Sequence, residues 1–493
     1  MTRSAEAYKK IVAVLKRRPQ GQSAADLAAA AALPLPTARE LASRAADEFR
    51  GRLEVTESSE ILYSFPRGFT SRYTSLSARF SRLADKLFKG GIALLSWIFK
   101  AWILVMLLGY FALFMLIALA SLVLSAAGGS SSDNRSRNNS GGSFFLAAHI
   151  FDLIIRLWFY SELSRSAGRS YRIPSGPAGD PPRQPLHRAV FSFVFGEKDP
   201  NSGAKDAENR ALIALLCANR GIISLPEYMA VTGLGPSESA EGILAFCAEF
   251  GGYPEATEEG TIVYRFQDIL LRTDKGAGAS AGAGPGPLRR LRSFSANSKT
   301  LNAWFGIINS VNLLFGGYFF YHALTTGIIR TAEQLQTGPR IYGITYVLAS
   351  TIFDNPQSFM LTGLGIVPLV FSALFWLIPA LRFTRLGAEN QEIKKRNLRK
   401  VGFRAIWEKL RGLRAADIDN PAPECRPRDL NREQEKIIAE MASYSQPEVE
   451  ADEAGGTLYN FTELERETRA LAASRAAVNP RDFDIGKVVF DSE

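Results

Sequence analysis

The chain has 493 residues, 58 basic and 49 acidic, so its formal net charge is +9 and its length suits about three domains. Three cysteines and three histidines exclude a disulfide framework and argue against a Cys/His metal site. Hydrophobic residues make up 46% of the chain but are concentrated in a few almost wholly apolar stretches, which is typical of a membrane protein.

The first 66 residues have the pattern of a small α+β module. Amphipathic periodicity predicts helices over residues 6–17, 23–31 and 37–49. Pro36 lies where the third helix should begin. Two alternating apolar runs follow, joined by a polar tip at residues 57–60, which predicts a β-hairpin. Three helices followed by a hairpin is the order of a winged helix, so we predict a winged-helix-like module here.

Residues 67–91 form a basic juxtamembrane linker, and residues 92–165 are predicted to form a first transmembrane hairpin. Residues 101–125 carry no charge and are long enough to cross a bilayer core of about 30 Å. Residues 144–160 are at the short limit and place His149, Asp152 and Arg156 on one helical face. We interpret them as a span whose polar face points into the bundle, the alternative being an interfacial amphipathic helix.

The linker over residues 166–205 contains a block in which aromatic residues alternate before a turn. Its candidate interaction residues are Phe191, Phe193, Phe195, Gly196, Pro200 and Asn201. Taken alone, the block predicts a strand or an aromatic plug that packs on a neighbouring module and ends in a turn.

This block resembles one found in a family of uncharacterised multi-pass membrane proteins of bacteria and plastid inner envelopes. The hairpin ends, which have a hydrophobic residue followed by Tyr-x-Phe, and the general layout are also similar. The resemblance implies a membrane location and a layout. It implies no mechanism, and we predict no cofactor from it.

Residues 206–270 repeat the first module at a constant offset of 201 residues. The clearest matches are the pairs Glu54 and Glu255, Tyr63 and Tyr264, and Phe65 and Phe266. Helices are expected over residues 208–219, 226–232 and 237–250, followed by a second hairpin. We therefore predict a second winged-helix-like module, with Cys217 and Cys247 as small helix-borne thiols.

A Gly/Ala-rich basic linker covers residues 271–300, in which residues 276–287 have the composition of a flexible spacer. A second transmembrane hairpin is predicted over residues 301–383, with spans at 304–324 and 359–381. Residues 341–353 are too short to cross and are interpreted as interfacial or re-entrant.

Polar residues inside these spans form a candidate intramembrane stripe, because such groups are costly in lipid unless they are paired. The stripe consists of His149, Asp152, Arg156, Asn302, Asn309, Asn312 and His322. One interpretation is structural, with an Asp152–Arg156 pair and asparagine-mediated helix packing. The other is a polar groove for a substrate or an inserting polypeptide.

A basic helix and a degenerate third winged-helix-like module are predicted over residues 384–470, followed by a C-terminal tail at 471–493. The third copy would use residues 402–413 and 431–443 as its first and third helices. Its hairpin ends in Tyr459 and Phe461, with two extra residues before them.

Charge placement predicts the topology. The segments that flank the spans on one side are strongly basic, whereas residues 126–143 and 325–357 on the other side are nearly neutral. Since basic flanks stay in the cytoplasm, four spans place both termini and all three modules in the cytoplasm. The membrane that the spans cross is then expected to be the inner (plasma) membrane. The basic linkers are also expected to attract anionic lipid headgroups.

The second module is acidic, and in the first module nearby acidic residues offset Arg39 and Arg44 of the third helix. This argues against nucleic-acid binding, since that binding depends on Lys and Arg neutralising phosphates. The second module has Glu238, Glu241 and Glu249 on its third helix and Glu258 and Glu259 at its hairpin tip. No motif of the common nucleotide-binding, metalloprotease or serine-hydrolase classes is present.

We therefore expect a mixed membrane protein in which α-helical transmembrane hairpins, with four spans in all, alternate with internally repeated winged-helix-like modules. The favoured function is a non-enzymatic scaffold for protein–protein interaction, in membrane-protein assembly or trafficking. The alternatives are a transporter or insertase-like protein that uses the polar groove and a membrane-tethered nucleic-acid binder. Expected partners are membrane lipids, other proteins and further copies of the chain.

Overall fold

The computed structural model describes residues 3–66, 76–127, 185–273, 286–420, 430–451, 456–479 and 483–492. This part of the chain is mostly helical, with three small sheets. It divides into two compact units. The sheet unit comprises Met1–Arg82, Asp199–Arg292 and Glu389–Glu493, and the span unit comprises Leu83–Lys198 and Ser293–Ala388.

The sheet unit begins with three helices and a hairpin. Their bounds are α1 (Arg3–Arg17), β1 (Gln22–Ser23), α2 (Ala24–Ala31), α3 (Leu35–Phe49), β2 (Arg52–Thr56) and β3 (Ile61–Ser64). A capping box between Ser23 and Asp26 starts α2, since each side chain accepts from the other residue's backbone N–H. The apolar faces of the helices enclose Ile11, Leu27 and Tyr63, all fully buried.

Helix α4 (Leu76–Ala127) belongs to the span unit from Leu83 onward, and its stretch Gly90–Val123 is long and apolar enough to cross a membrane. It contains most of the span predicted at 101–125. The predicted second span at 144–160, with His149, Asp152 and Arg156, lies outside the described residues. Next comes α5 (Leu186–Phe195), a short apolar helix.

The chain returns to the sheet unit with the same order of elements as at the N-terminus. Their bounds are α6 (Ala204–Ala218), β4 (Ile222–Ile223), α7 (Leu225–Thr232), α8 (Pro236–Phe250), β5 (Tyr253–Ala256) and β6 (Ile262–Arg265). A second capping box, between Ser224 and Glu227, starts α7. The end of the predicted flexible spacer is packed, because a Cβ on Gly286 would lie 2.0 Å from the carbonyl oxygen of Val231.

The remaining helices of the span unit follow. Their bounds are α9 (Lys299–Thr325), α10 (Ala332–Thr337), α11 (Arg340–Ser350), α12 (Pro356–Ser358), a π-helix (Phe359–Ile366) and α13 (Val367–Glu408), whose last part enters the sheet unit. Lys299–Thr325 and Pro356–Glu408 are the other two candidate spans. Glycine allows the close packing of α9 on the π-helix, since a Cβ on Gly365 would lie 3.0 Å from the Phe320 backbone.

The third stretch of the sheet unit, Glu389–Glu493, differs from the sequence-based expectation in two places. No separate helix begins at Gly402, because α13 continues through it to Glu408, and this glycine instead allows close approach of Ile437. The C-terminal elements are α14 (Leu430–Ala442), β7 (Glu448–Ala451), β8 (Thr457–Asn460), α15 (Thr462–Ala477) and β9 (Val488–Asp491). The boundary predicted at residue 470 therefore falls inside a helix, and the predicted tail contains a strand.

The strands form sheets of order β1-β3-β2-β9, β4-β6-β5 and β7-β8. We name β2–β3 hairpin 1, β5–β6 hairpin 2 and β7–β8 hairpin 3. The second and third segments share one apolar core that includes Phe266, Phe403 and Phe461, each fully buried. The three stretches of the sheet unit therefore fold together, although they are far apart in sequence.

Candidate functional site at the sheet edges

The described part of the predicted polar stripe is divided among three places. Asn309 and Asn312 are fully buried near the middle of α9. The Asn309 side-chain amide donates to the Ser372 carbonyl oxygen on α13 at 3.0 Å. That of Asn312 donates to the Leu107 carbonyl oxygen on α4 at 2.8 Å. These two amides connect α9 to both other candidate spans.

The two remaining described members of the stripe lie near opposite ends of α9. Asn302 donates to the Ser295 hydroxyl at 2.8 Å and accepts from the Asn297 amide at 3.0 Å. His322 lies against the rings of Tyr318 and Tyr342, at centroid distances of 4.5 and 6.0 Å. Neither residue lies beside the buried amides.

The predicted interaction block forms a helix rather than a strand. In α5 the buried residues include Ala189, Val190 and Phe193, which follow a helical period. The alternation of aromatic residues is misleading because Phe191 and Phe195 lie one helical turn apart, with their rings tilted against each other at a centroid distance of 4.9 Å. Phe193 packs within the span unit rather than on a module, with its ring 5.5 Å from that of Phe375.

The end of this block is held by backbone contacts. Gly196 has a φ of +83°, and a Cβ there would lie 2.3 Å from the Arg382 guanidinium, so glycine is required. Pro200 and Asn201 belong to the sheet unit. The Asn201 side chain donates to the Arg290 carbonyl oxygen at 2.7 Å and accepts from the Arg290 N–H at 2.9 Å. The residues of this block thus make internal contacts in both units.

Sequence reasoning missed a buried ionic cluster in the sheet unit. Glu208 on α6 accepts from Lys400 at 2.8 Å, from Arg289 at 3.2 Å and from Arg396 at 3.3 Å. Burial alone would raise the pKa of Glu208, but the Lys400 ammonium and the two guanidinium groups hold it below its ordinary value. One cation of the predicted basic linker, Arg289, and two of the predicted basic helix, Arg396 and Lys400, therefore have a partner inside the protein.

The outer strand of hairpin 1 is covered by β9. On the inner strand, the Phe65 N–H donates away from β2, to the Pro19 carbonyl oxygen at 2.6 Å. Leu53 on β2 faces the other way: its N–H donates to the Ser492 hydroxyl at 3.0 Å, and its carbonyl accepts from the Ser492 N–H at 3.1 Å. The C-terminal strand thus occupies this edge in antiparallel register.

Hairpin 2 has the same register but a different edge. Tyr264 pairs with Pro254, as Tyr63 pairs with Leu53, and the Phe266 N–H donates away from β5. Position 254 therefore faces outward, and proline has no N–H to offer there. Proline on an edge strand is a common protection against pairing with other chains.

Hairpin 3 repeats this register with an open edge. Tyr459 exchanges hydrogen bonds with Leu413 at 3.1 and 2.9 Å, on the side away from β7. Its partner Val449 therefore turns its own N–H and carbonyl outward. Within the described residues no strand pairs with this outer edge of β7, and Val449 is 62% exposed.

The open edge is acidic, because Glu448 and Glu450 are exposed on β7. A separate, buried carboxyl group belongs to α15, where Glu467 accepts from the Tyr444 hydroxyl at 3.2 Å. Burial raises the pKa of Glu467 to about 7, and the neighbouring Glu227 carboxylate adds to the rise, although the Tyr444 hydrogen bond opposes it.

Comparison with known proteins gives one relative among curated sequences. An Arabidopsis thaliana protein described as uncharacterised and chloroplastic is 24% identical over 238 residues, which cover 47% of this chain and 41% of the relative. The match therefore spans about two fifths of the relative's length. The chain matches no known family profile and no solved structure. The three apolar helices are consistent with a membrane protein.

Proposed function

We propose that the protein is a multi-pass membrane scaffold whose sheet unit binds an extended segment of a partner protein along the open edge of hairpin 3. The observation that carries this proposal is the outward backbone of Val449, which has no strand beside it in the described part of the chain. An exposed edge of this kind is a template for strand addition.

Hairpin 1 shows how such an edge is used. There β9 supplies the added strand, although its side chains remain largely solvated, with Val489 69% and Phe490 62% exposed. The contact thus depends mainly on backbone hydrogen bonds, each worth about 0.5–1.5 kcal/mol net. Since β7 and β9 have four residues each, a partner strand on β7 can make a comparable set of bonds.

The chemistry of the edge indicates a basic partner. Glu448 and Glu450 point to the same face of β7, because side chains alternate along a strand. Opposite charges directly across from each other stabilise a strand pair by about 0.2–1 kcal/mol each. The proposed partner segment is therefore extended and carries Lys or Arg at alternate positions.

The compactness of the sheet unit supports the predicted membrane topology, because three stretches that fold together are expected on one side of the bilayer. The stretch Lys299–Thr325 and the stretch Pro356–Glu408 provide two crossings between the second and third stretches. One crossing by α4 requires another before Asp199, which supports the predicted span at 144–160. With the basic flanks, this supports four spans and a cytoplasmic sheet unit.

The common register of Tyr63, Tyr264 and Tyr459 supports a threefold winged-helix-like repeat. The polar-groove alternative has less support, because Asn309 and Asn312 both use their amides for helix packing. Nucleic-acid binding also has less support, since Arg39 on α3 pairs with Glu60 at 3.5 Å.

A photo-crosslinker at Ala451 in intact membranes tests the proposal. We expect an adduct with a partner protein in the parent chain and in Val449→Thr, which keeps the backbone N–H. In Val449→Pro the adduct should fall at least fivefold, because the outward donor is lost. The control site is Leu244 on α8, which is 52% exposed and away from the strand edge.

Two results would contradict the proposal. One is the absence of an adduct at position 451 in the parent chain. The other is an adduct whose yield is the same in Val449→Pro and Val449→Thr, since contact with the edge would then not depend on strand pairing.

A further inference from the structure

The span unit contains an apolar groove of about 450 Å³ between α4, α5 and α13. Its walls are formed by large apolar side chains, among them Phe99, Trp102, Phe195, Val370, Leu374 and Ile378. The volume lies within the range of about 300–1,000 Å³ that is usual for small-molecule sites.

The groove opens to the surroundings of the helices rather than to the interior of the unit. Trp102, Val370 and Leu374 are 50%, 52% and 49% exposed, although all three lie in candidate spans. In a membrane this opening faces lipid, so the medium that meets the groove is hydrocarbon.

One end of the groove is cationic. Lys100 follows Phe99 on α4, and its ammonium lies 4.6 Å from the ring of Phe191, which contacts Phe195 in the groove wall. On α13, Arg385 lies seven residues beyond Ile378, on the same helical face, and is exposed. The stretch Gly90–Val123 is longer than a bilayer core requires, and its uncharged part begins directly after Lys100. Arg385 lies beyond the last groove residue of α13, so both cations lie toward the same end of the groove.

This end also carries exposed aromatic residues of the kind expected at the level of the lipid headgroups. Trp97 is 55% exposed one turn before Lys100, and Phe383 is 69% exposed beside Arg385. Tryptophan is enriched where a span leaves the hydrocarbon, and basic side chains there attract anionic headgroups.

We propose that this groove binds one anionic phospholipid, with an acyl chain along Phe99, Val370 and Leu374 and the phosphate at Lys100 and Arg385. Charge complementarity favours a phospholipid over an apolar helix of another protein, which would leave both cations without an anionic partner from the occupant. The inference depends on the membrane placement of the span unit and is independent of hairpin 3.

Native mass spectrometry of the full chain in detergent tests this, with phosphatidylglycerol and phosphatidylcholine as probes. We expect phosphatidylglycerol to be retained at least fivefold more than phosphatidylcholine. The double substitution Lys100→Gln/Arg385→Gln should abolish that preference, whereas Arg330→Gln/Arg340→Gln, the same charge change on exposed residues outside the groove, should keep it.

A second pair of variants tests the acyl chain. Leu374→Trp should fill the groove and reduce retained lipid at least fivefold, whereas Leu314→Trp, at a position 72% exposed on α9, should not. If Leu374→Trp fails to fold, the Lys100/Arg385 pair of variants still decides the question.

The proposal is overturned if the two lipids are retained equally by the parent chain. It is also overturned if Leu374→Trp folds and keeps its lipid. A third contrary result is a loss of dimer mass in Leu374→Trp, because the occupant would then be a second copy of the chain.

Discussion

Hairpin 1 and hairpin 3 have the same backbone register but opposite surroundings. In hairpin 1 the outward backbone of Leu53 is bonded to Ser492, whereas in hairpin 3 no strand of the described residues pairs with the equivalent backbone of Val449. The comparison shows that the outer edge of such a hairpin can pair with an added strand. In hairpin 1 that strand is β9 of the same chain.

Hairpin 2 completes the comparison, since Pro254 removes the outward N–H from the same position. One edge is thus occupied, one is blocked and one is open. Whether an edge is occupied, blocked or open depends on one backbone position in each hairpin. A single substitution at that position can therefore change how the edge pairs.

The largest expected effect concerns the inner strands. Tyr63 is fully buried and its hydroxyl lies 3.1 Å from that of Ser43, whereas Tyr459 is only half-buried. We expect Tyr63→Ala to reduce the free energy of unfolding by about 3–5 kcal/mol and Tyr459→Ala by about 1–2 kcal/mol. Chemical denaturation of the full chain measures both, and equal losses would show that the two hairpins are packed alike.

The second effect is a pH dependence of stability that arises from Glu467 on α15. Folding raises the pKa of Glu467 to about 7, so its favourable contribution is complete below about pH 4.5 and is lost as the pH rises through 7. Glu467→Gln keeps the neutral form and should stabilise the protein by about 2–3 kcal/mol at pH 8 but little at pH 4.5. Exposed Glu463→Gln is the control, and a gain independent of pH would refute the assignment.

The third effect concerns β9. Leu53→Pro removes the donor to Ser492 and should cost about 1–2 kcal/mol locally. Hydrogen exchange of the Val488–Asp491 amides should then be fast, whereas Leu53→Thr should leave it slow. Unchanged protection in Leu53→Pro would mean that β9 is held by other contacts.

The smallest effect on stability is expected at hairpin 2. Pro254→Val restores an outward N–H and should change the free energy of unfolding by no more than about 0.5 kcal/mol. Its consequence is a second open edge, so a photo-crosslinker at Ala256 should give adducts in this variant alone. Adducts at Ala256 in the parent chain would show that proline does not protect the edge.

The sequence predicts local structure well and distant pairing poorly. Helices and hairpins of the first two segments were found because periodicity, Pro36 and the tyrosine motifs are local signals. The pairing of β9 with β2 was missed, since residues more than 400 positions apart share no pattern. For the same reason, the end predicted for the third module, residue 470, lies inside α15, which continues to Ala477.

For the candidate sites, too, the sequence reveals local features and misses those formed by distant residues. The alternation of Phe191, Phe193 and Phe195 suggested a strand, but burial at helical spacing decided otherwise. The partners of Glu208 are scattered over residues 289–400 and act together only after folding. The open edge at Val449 is visible only as the absence of a neighbour within the described residues, which no local pattern predicts.

Hydrogen exchange of the Val449 amide, compared between intact membranes and purified protein, tests the central claim most directly. Strand addition predicts slow exchange in membranes and fast exchange after purification, while the Leu53 amide stays slow in both. Equally fast exchange of the Val449 amide in both preparations would contradict the proposed binding edge.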